Sequence, residues 1–197
     1  MNDWERREGL GWPEASSYAE GHGLDPLVAT KLWDNPCWFS FRLNYLALCF
    51  NGPVYGFIQE RHGLQRPEYV VLYSLFLKDG VTAKAVSESS GFPKNTISRA
   101  VQSLLALHLI ERRADPADRR SFRLVLTAAG RRITDETLAP MLDRERRMLA
   151  PLSPAERFML AELLAKLVVA APTWPDTVDP DAVLAEPRPS RAPEEPS

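Results

Sequence analysis

Cysteine is scarce in this chain. Cys37 and Cys49 are the two among 197 residues, and no CxxC occurs. That excludes a disulfide framework and suits a reducing compartment. Histidine is nearly as rare: His22, His62 and His108 stand in unlike surroundings, and HExxH, P-loop, GxSxG and GxGxxG patterns are all missing. With no catalytic or metal-ligating constellation, the chain reads as a protein that is not an enzyme and needs no cofactor. Long apolar runs are missing too. The longest, "YVVLYSLFL" at 69–77, is far too short to span a bilayer, and the opening "MNDWERREGLGWPEASS" lacks the apolar core of a signal peptide. A soluble, cytoplasmic protein with no membrane partner is expected. Neither sign of charge dominates: the formal net charge is -2. This argues against wholesale coating of nucleic acid, although a sum conceals how charge is distributed.

What is present is enough for a real core. Hydrophobic residues make up 45% of the chain, and the length fits one domain of about 100–200 residues. Residues 1–33 contain Gly and Pro with weak patterning and read as a loosely ordered N-terminal extension. Residues 34–171 read as the folded domain. Residues 172–197 carry seven prolines and six acidic residues against two arginines, a composition that cannot offset ordering entropy and predicts a flexible acidic tail.

The folded part reads as mainly helical. Asn35-Pro36 can serve as N-cap and N1 of a first helix. Its apolar residues, among them Trp38, Phe39, Phe41, Tyr45, Leu46 and Leu48, cover most of the circumference and predict burial between other elements. "NGP" at 51–53 is expected to kink or break it, because Pro53 has no N–H to give. A second piece runs to about His62, and Pro67–Leu77 reads as another buried helix. Thr82 can cap a short helix, "AKAVSESS"; Gly91-Phe92-Pro93 is a turn; "KNTISRAVQSLLAL" is a further helix with Ile97, Ala100, Val101, Leu104 and Leu105 on its apolar stripe. "IERRA" and "SFRLVLT" are strand-like runs joined by "DPADRR", which is hairpin grammar with a longer loop. Thr127 caps a long helix to about Leu149, with a kink expected at Pro140. Ser153-Pro154-Ala155-Glu156 is a capping box, followed by Leu160, Leu163, Leu164, Leu167 and Val168 at amphipathic spacing.

Two short helices around a tight turn, with a hairpin directly after, make a winged helix-turn-helix: the second helix enters the major groove and the hairpin flanks it. Charge agrees. Between Gly91 and Arg132 there are nine basic residues and three acidic ones, a local +6 inside a chain of -2. A cluster of that kind on that element is the footprint of phosphate contact.

The stretch "VTAKAVSESSGFPKNTISRAVQSLLALHLIERRADPADRRSFRLVLTAAG" resembles the core of the MarR family of transcriptional regulators. Arg112, Asp115-Pro116, Asp118-Arg119-Arg120, Leu126-Thr127 and Gly130 stand in register with that family's wing pattern, and "LSPAE" matches the start of its last helix. The resemblance spans about residues 35–171 and implies a DNA-binding core at 66–127. The implied fold is mainly α with a small β-hairpin wing, a winged helix-turn-helix flanked by N- and C-terminal dimerisation helices. Residue by residue, Arg120 resembles the wing-tip arginine that enters the minor groove, where a narrow A·T-rich tract favours a guanidinium. Asp118 matches the aspartate that stabilises the wing by an ion pair, with Arg112 as the nearby arginine. Arg119 and Arg123 are candidates for backbone contact. On the recognition helix, Lys94, Asn95, Thr96, Ser98, Arg99 and Gln102 face outward or lie at the margin, and Arg99 is the best candidate for a bidentate guanine contact. His108 departs from the pattern, which usually has Gly at this helix end.

The resemblance also implies a homodimer built from the first and last helices, reading an inverted-repeat operator in double-stranded DNA and acting as a ligand-responsive repressor. Small phenolic or anionic effectors bind such proteins between the dimerisation helices and the DNA-binding module. Trp38, Tyr45, Tyr69 and Tyr73 are candidates to line that pocket, with Arg42 to pair a ligand carboxylate. Two alternatives stand beside this reading. One is a thiol-based redox sensor using Cys37, placed at N2 of the first helix where the dipole lowers a thiol pKa. The other is a winged-helix protein-interaction module without DNA binding. A Cys37–Cys49 disulfide is disfavoured, since twelve residues of helix span ~18 Å.

Overall fold

The computed structural model describes residues 21–114 and 122–179. They fall into two units, divided between Met148 and Leu149. The first holds α1 (Pro26–Trp33), α2 (Trp38–His62), α3 (Arg66–Leu77), α4 (Ala83–Ser90), α5 (Lys94–Ala106), β1 (Ile110–Ala114), β2 (Phe122–Leu126) and α6 (Ala128–Met148). The second holds α7 (Pro154–Ala170) and a 3-10 turn, Ala171–Thr173. The fold is therefore mainly helical with one antiparallel hairpin, whose register pairs Ile110 with Leu126 and Ala114 with Phe122.

The core of the first unit is built where α3, α5 and the hairpin meet. Ile58, Leu72, Leu75, Val86, Ile97, Leu104, Ile110 and Leu124 are all buried. On α5 the buried residues Ile97, Ala100, Val101 and Leu104 recur at helical spacing, so one face closes the core and the other is left to water. Val81 adds a third, one-residue strand: Gly80 N–H donates to Leu124 O at 3.0 Å and Leu124 N–H to Val81 O at 2.9 Å.

Caps read from the sequence carry the helix starts. Thr82 Oγ1 accepts from Ala85 N–H at 3.2 Å, and Thr127 Oγ1 from Gly130 N–H at 3.1 Å. Ser153 and Glu156 form the reciprocal box at the start of α7, and the Ser153 hydroxyl and N–H hold the Glu156 carboxyl below the usual carboxylate range. At the end of α5, His108 takes φ 54° and is the one non-glycine residue with positive φ among those described. Leu109 N–H reaches Leu104 O and His108 N–H reaches Leu105 O, each at 3.0 Å. These are the 6→1 and 5→2 bonds of a Schellman motif, with His108 in the place glycine usually fills.

Four sequence expectations change. Residues 26–33 are not loosely ordered: Asp25 Oδ1 caps α1 by accepting from Leu27 and Val28 N–H, Pro26 sits in the first turn, and Ala29 and Leu32 are buried. Next, α2 begins at Trp38 with Cys37 as N-cap, not N2, while Asn35 Oδ1 accepts from Cys37 N–H at 2.8 Å. The same helix then runs unbroken through Asn51-Gly52-Pro53. The carbonyl that Pro53 orphans is that of Cys49, four residues back, and Arg144 of α6 donates to it through Nε at 3.0 Å and again through Nη2. A side chain from another helix replaces the missing backbone donor. Finally, the apolar residues of the first half of α2 are not enclosed: Phe41, Leu43, Tyr45, Leu46 and Leu48 are exposed.

In the second unit, α7 goes beyond the expected stripe. Leu160, Leu163, Leu167 and Val168 are exposed, but so are Phe158, Met159 and Val169 on other sides, and no residue of the helix is buried. No helix among the described residues is long and apolar enough to cross a membrane.

Candidate nucleic-acid interface and adjoining cavity

The outward face of α5 follows from the inward one. With Ile97, Ala100, Val101 and Leu104 committed to the core, helical geometry places Lys94, Asn95, Ser98, Arg99 and Gln102 within an arc of ~140°, and all five are exposed. Thr96 lies half-buried at the margin, its N–H held by Asn95 Oδ1 at 2.8 Å. The helix is aimed by the turn before it. Gly91 ends α4 in the left-handed region at φ 71°, and Ser87 Oγ donates to Phe92 O at 2.7 Å. Arg66 closes the turn from behind, its guanidinium over the rings of Tyr55 (5.0 Å) and Phe92 (5.5 Å).

The hairpin adds charge beside this face. Arg113 pairs across the strands with Arg123, and Glu111 Oε2 lies 3.9 Å from Arg113 Nη2. Arg112 lies over the Phe122 ring at 5.8 Å. Asp118, Arg119 and Arg120, and with them the expected Asp118–Arg112 pair and the wing-tip arginine, lie outside the described residues.

The wing base is held by a residue that sequence reasoning missed. Asp79 Oδ1 accepts from Leu126 N–H at 3.1 Å, and its Oδ2 lies 3.7 Å from Arg131. The available signal was the Asp79-Gly80 turn: Gly80 takes φ 78° and returns the chain against β2. The same end of β2 is pinned further by Thr127, whose N–H donates to Leu109 O at 3.1 Å and whose hydroxyl lies within 3.0 Å of the same carbonyl. Gly130 explains itself here, because a Cβ at that position would collide with the Leu109 carbonyl.

A cavity of about 450 Å³ lies between α2, α3, α4 and α6, next to the helix-turn-helix. Tyr69 and Tyr73, two of the five expected ligand residues, line it, joined by Phe50, Tyr55 and Glu145. Tyr69 stacks on Tyr73 with centroids 6.0 Å apart. Burial pushes the Tyr69 hydroxyl up to about 12, against the lowering effect of its hydrogen bond to Thr137. Trp38, Arg42 and Tyr45 are not on this cavity. Arg42 is occupied by α1: its guanidinium lies over Trp33 (4.9 Å) and Trp38 (5.1 Å), and its Nε donates to Leu32 O at 2.9 Å. Tyr45 belongs to the exposed apolar face of α2. The reading of Arg42 as a carboxylate partner left out the helix that holds it.

Comparison with known proteins decides the family. The model of the MarR family matches residues 62–121. YxaD of Bacillus subtilis, an uncharacterised HTH-type transcriptional regulator, is 31% identical over 104 residues, which are 53% of this chain and 73% of the relative. The chain belongs to the MarR family of transcriptional regulators. Proteins of that family are regulators, not enzymes. Among solved structures, this MarR-family chain is similar to PcaV of Streptomyces coelicolor, determined with its natural ligand, at 25% identity and TM-score 0.54 over 70% of this chain and 94% of that one. It shares its fold with MepR of S. aureus, determined with DNA, at 18% identity and TM-score 0.59 over 68% of this chain and 96% of that one.

Proposed function

We propose that this protein binds operator DNA as a homodimer, represses transcription from it in the cytoplasm, and releases the DNA when a small molecule occupies the cavity beside the helix-turn-helix. The observation that carries the reading is the exposed arc of Lys94, Asn95, Ser98, Arg99 and Gln102 on a helix whose other face is locked into the core. Arg99 is the base-reading residue, by a bidentate contact to guanine. Lys94, Thr96, Ser98, Arg119 and Arg123 hold phosphates, and Arg120 enters the minor groove with Asp118 and Arg112 steadying the wing. Residues 34–171 form the regulator module, with its DNA-binding core at 66–127.

Two exposed apolar surfaces, the first half of α2 and the whole of α7, support assembly with a second copy, since patches of that kind on a soluble protein mark interaction sites. A two-fold dimer reads half-sites about one helical turn apart. PcaV carries its ligand and MepR its DNA on the same fold, which supports both halves of the proposal. The test is a fluorescence anisotropy titration with duplexes taken from beside the protein's own coding region. A duplex containing an inverted repeat should bind in preference to a scrambled one at the same salt. Replacing Arg120 with Ala should weaken binding to A·T-rich half-sites; unchanged affinity removes the wing from the mechanism.

A further inference from the structure

Most arginines here are spent on the fold itself. Arg113, Arg131, Arg132, Arg146 and Arg147 lie between 2.6 and 3.9 Å from carboxylates, and Arg144 serves the Cys49 carbonyl. Arg66 differs. It is exposed, and it carries no hydrogen bond or ion pair among the described residues. Glu68 does not draw it: residues two apart on a helix do not face each other, and Glu68 Oε2 accepts from Gln65 N–H at 2.6 Å.

What Arg66 does touch is aromatic. Its guanidinium lies 5.0 Å from the Tyr55 centroid and 5.5 Å from that of Phe92. Ring contact uses the charge and leaves the N–H donors unspent. It also limits the rotamers of a long side chain, so less entropy remains to be lost when an oxyanion arrives. As the first residue of α3, Arg66 places a cation at the positive end of the helix dipole, which is unfavourable until an anion joins it.

Its place is beside the recognition helix. Phe92 stands two residues before α5 begins at Lys94. Gln65 and Pro67, the chain neighbours of Arg66, line a groove of about 310 Å³ together with Thr96, Arg99 and Ser103 of α5. By helical geometry Arg99 is also one edge of the exposed arc. The start of α3 therefore continues the proposed DNA face past Arg99, next to the end of α5 that reaches base edges.

We propose that Arg66 is a further DNA contact, holding a backbone phosphate that flanks the major groove entered by α5. The proposal rests on the operator-binding reading above and adds a position outside both the recognition helix and the wing. Such a contact anchors the helix and carries no sequence preference of its own.

The test is anisotropy titration of the full chain across a range of salt, with an operator duplex and an unrelated duplex of equal length. The slope of log affinity against log salt measures the phosphates engaged, at about 0.9 for each. Arg66→Gln should reduce the slope by about 0.9 per chain, about 1.8 for two chains on one duplex, whatever the sequence. Arg66→Lys, which keeps the charge, should hold the parent's slope, and so should Arg146→Gln, which removes a cation at the far end of α6. If Arg66 only braces the turn, Arg66→Gln lowers Tm and weakens binding at an unchanged slope, and the proposal is overturned. Equal losses of slope in Arg66→Lys or Arg146→Gln also overturn it. A parent that favours the operator while Arg66→Gln keeps its slope sinks this contact alone. A parent that binds both duplexes equally sinks the operator reading, with the slope still deciding the contact; a parent that binds neither sinks both.

Discussion

Helices α5 and α7 are of similar length, 13 and 17 residues, and have opposite surfaces. The recognition helix α5 divides cleanly: four residues are buried against the first unit's core, and a polar, cationic arc faces out. Its surroundings complete it, with Gly91 before it, the Schellman turn at His108 after it, and the Asp79-anchored wing alongside. Helix α7 is apolar nearly all round and buries nothing. Its start is well made, by a full capping box, but none of its side chains is buried among the described residues. One helix is finished by its own chain and offers chemistry outward. The other is finished as a backbone element and leaves its apolar surface exposed among the described residues.

The largest effects should come from α7. Replacing both Leu163 and Leu167 with Asp places charges where the proposed two-fold contact forms, and an unpaired buried charge costs several kcal/mol. Light scattering should show the dimer dissociation constant raised by on the order of a hundredfold or more, with the helical far-ultraviolet spectrum kept. A variant that stays dimeric would remove α7 from the interface. Within the finished unit the sharpest test is Gly130→Ala. The added methyl group meets the Leu109 carbonyl, and overpacking against backbone should cost about 3 kcal/mol, seen as a fall in Tm of about 10 °C.

Smaller effects separate function from stability on the same side of the comparison. Arg99→Ala should lose about 1–3 kcal/mol of operator discrimination, roughly ten- to a hundredfold in anisotropy titrations, with little change in Tm. Arg144→Met should lower stability by about 1–3 kcal/mol, because it leaves the Cys49 carbonyl without the donor that Pro53 cannot supply. His108→Gly should raise stability by about 1 kcal/mol in denaturant unfolding, since glycine holds a positive φ without the Cβ penalty. A stability loss for His108→Gly would mean that the imidazole makes a contribution beyond the cap.

The same contrast explains what could be read from the sequence. The recognition helix, its hairpin and the caps at Thr82, Thr127 and Ser153 were legible because each is a local pattern with a local cause: helical apolar spacing, alternation, and a side-chain oxygen before a helix. The start of α1 is equally local, since Asp25-Pro26 is the same kind of signal as Asn35-Pro36, but it stands among weakly patterned residues that mask it. The continuity of α2 through Pro53 was not legible. It depends on Arg144, 95 residues distant in sequence from the carbonyl it serves. The cavity was half-legible: Tyr69 and Tyr73 belong to a helix whose aromatic density was visible. Arg42, by contrast, was assigned by its charge alone, when its partners are Leu32 O and two tryptophan rings. Glu145 carried no pattern at all, since only the folding of α6 against α3 brings it to the cavity.

The account rests on a helix-and-wing unit displayed twice by one dimer, and a single titration reaches it most directly. Two duplexes of equal length, one carrying both arms of the inverted repeat found beside the coding region and one carrying a single arm in random flanking sequence, should be compared by anisotropy at fixed salt. Two linked contacts should favour the two-arm duplex by about a hundredfold or more, at two chains per duplex. Equal affinity for the two duplexes, or saturation at one chain each, would contradict it.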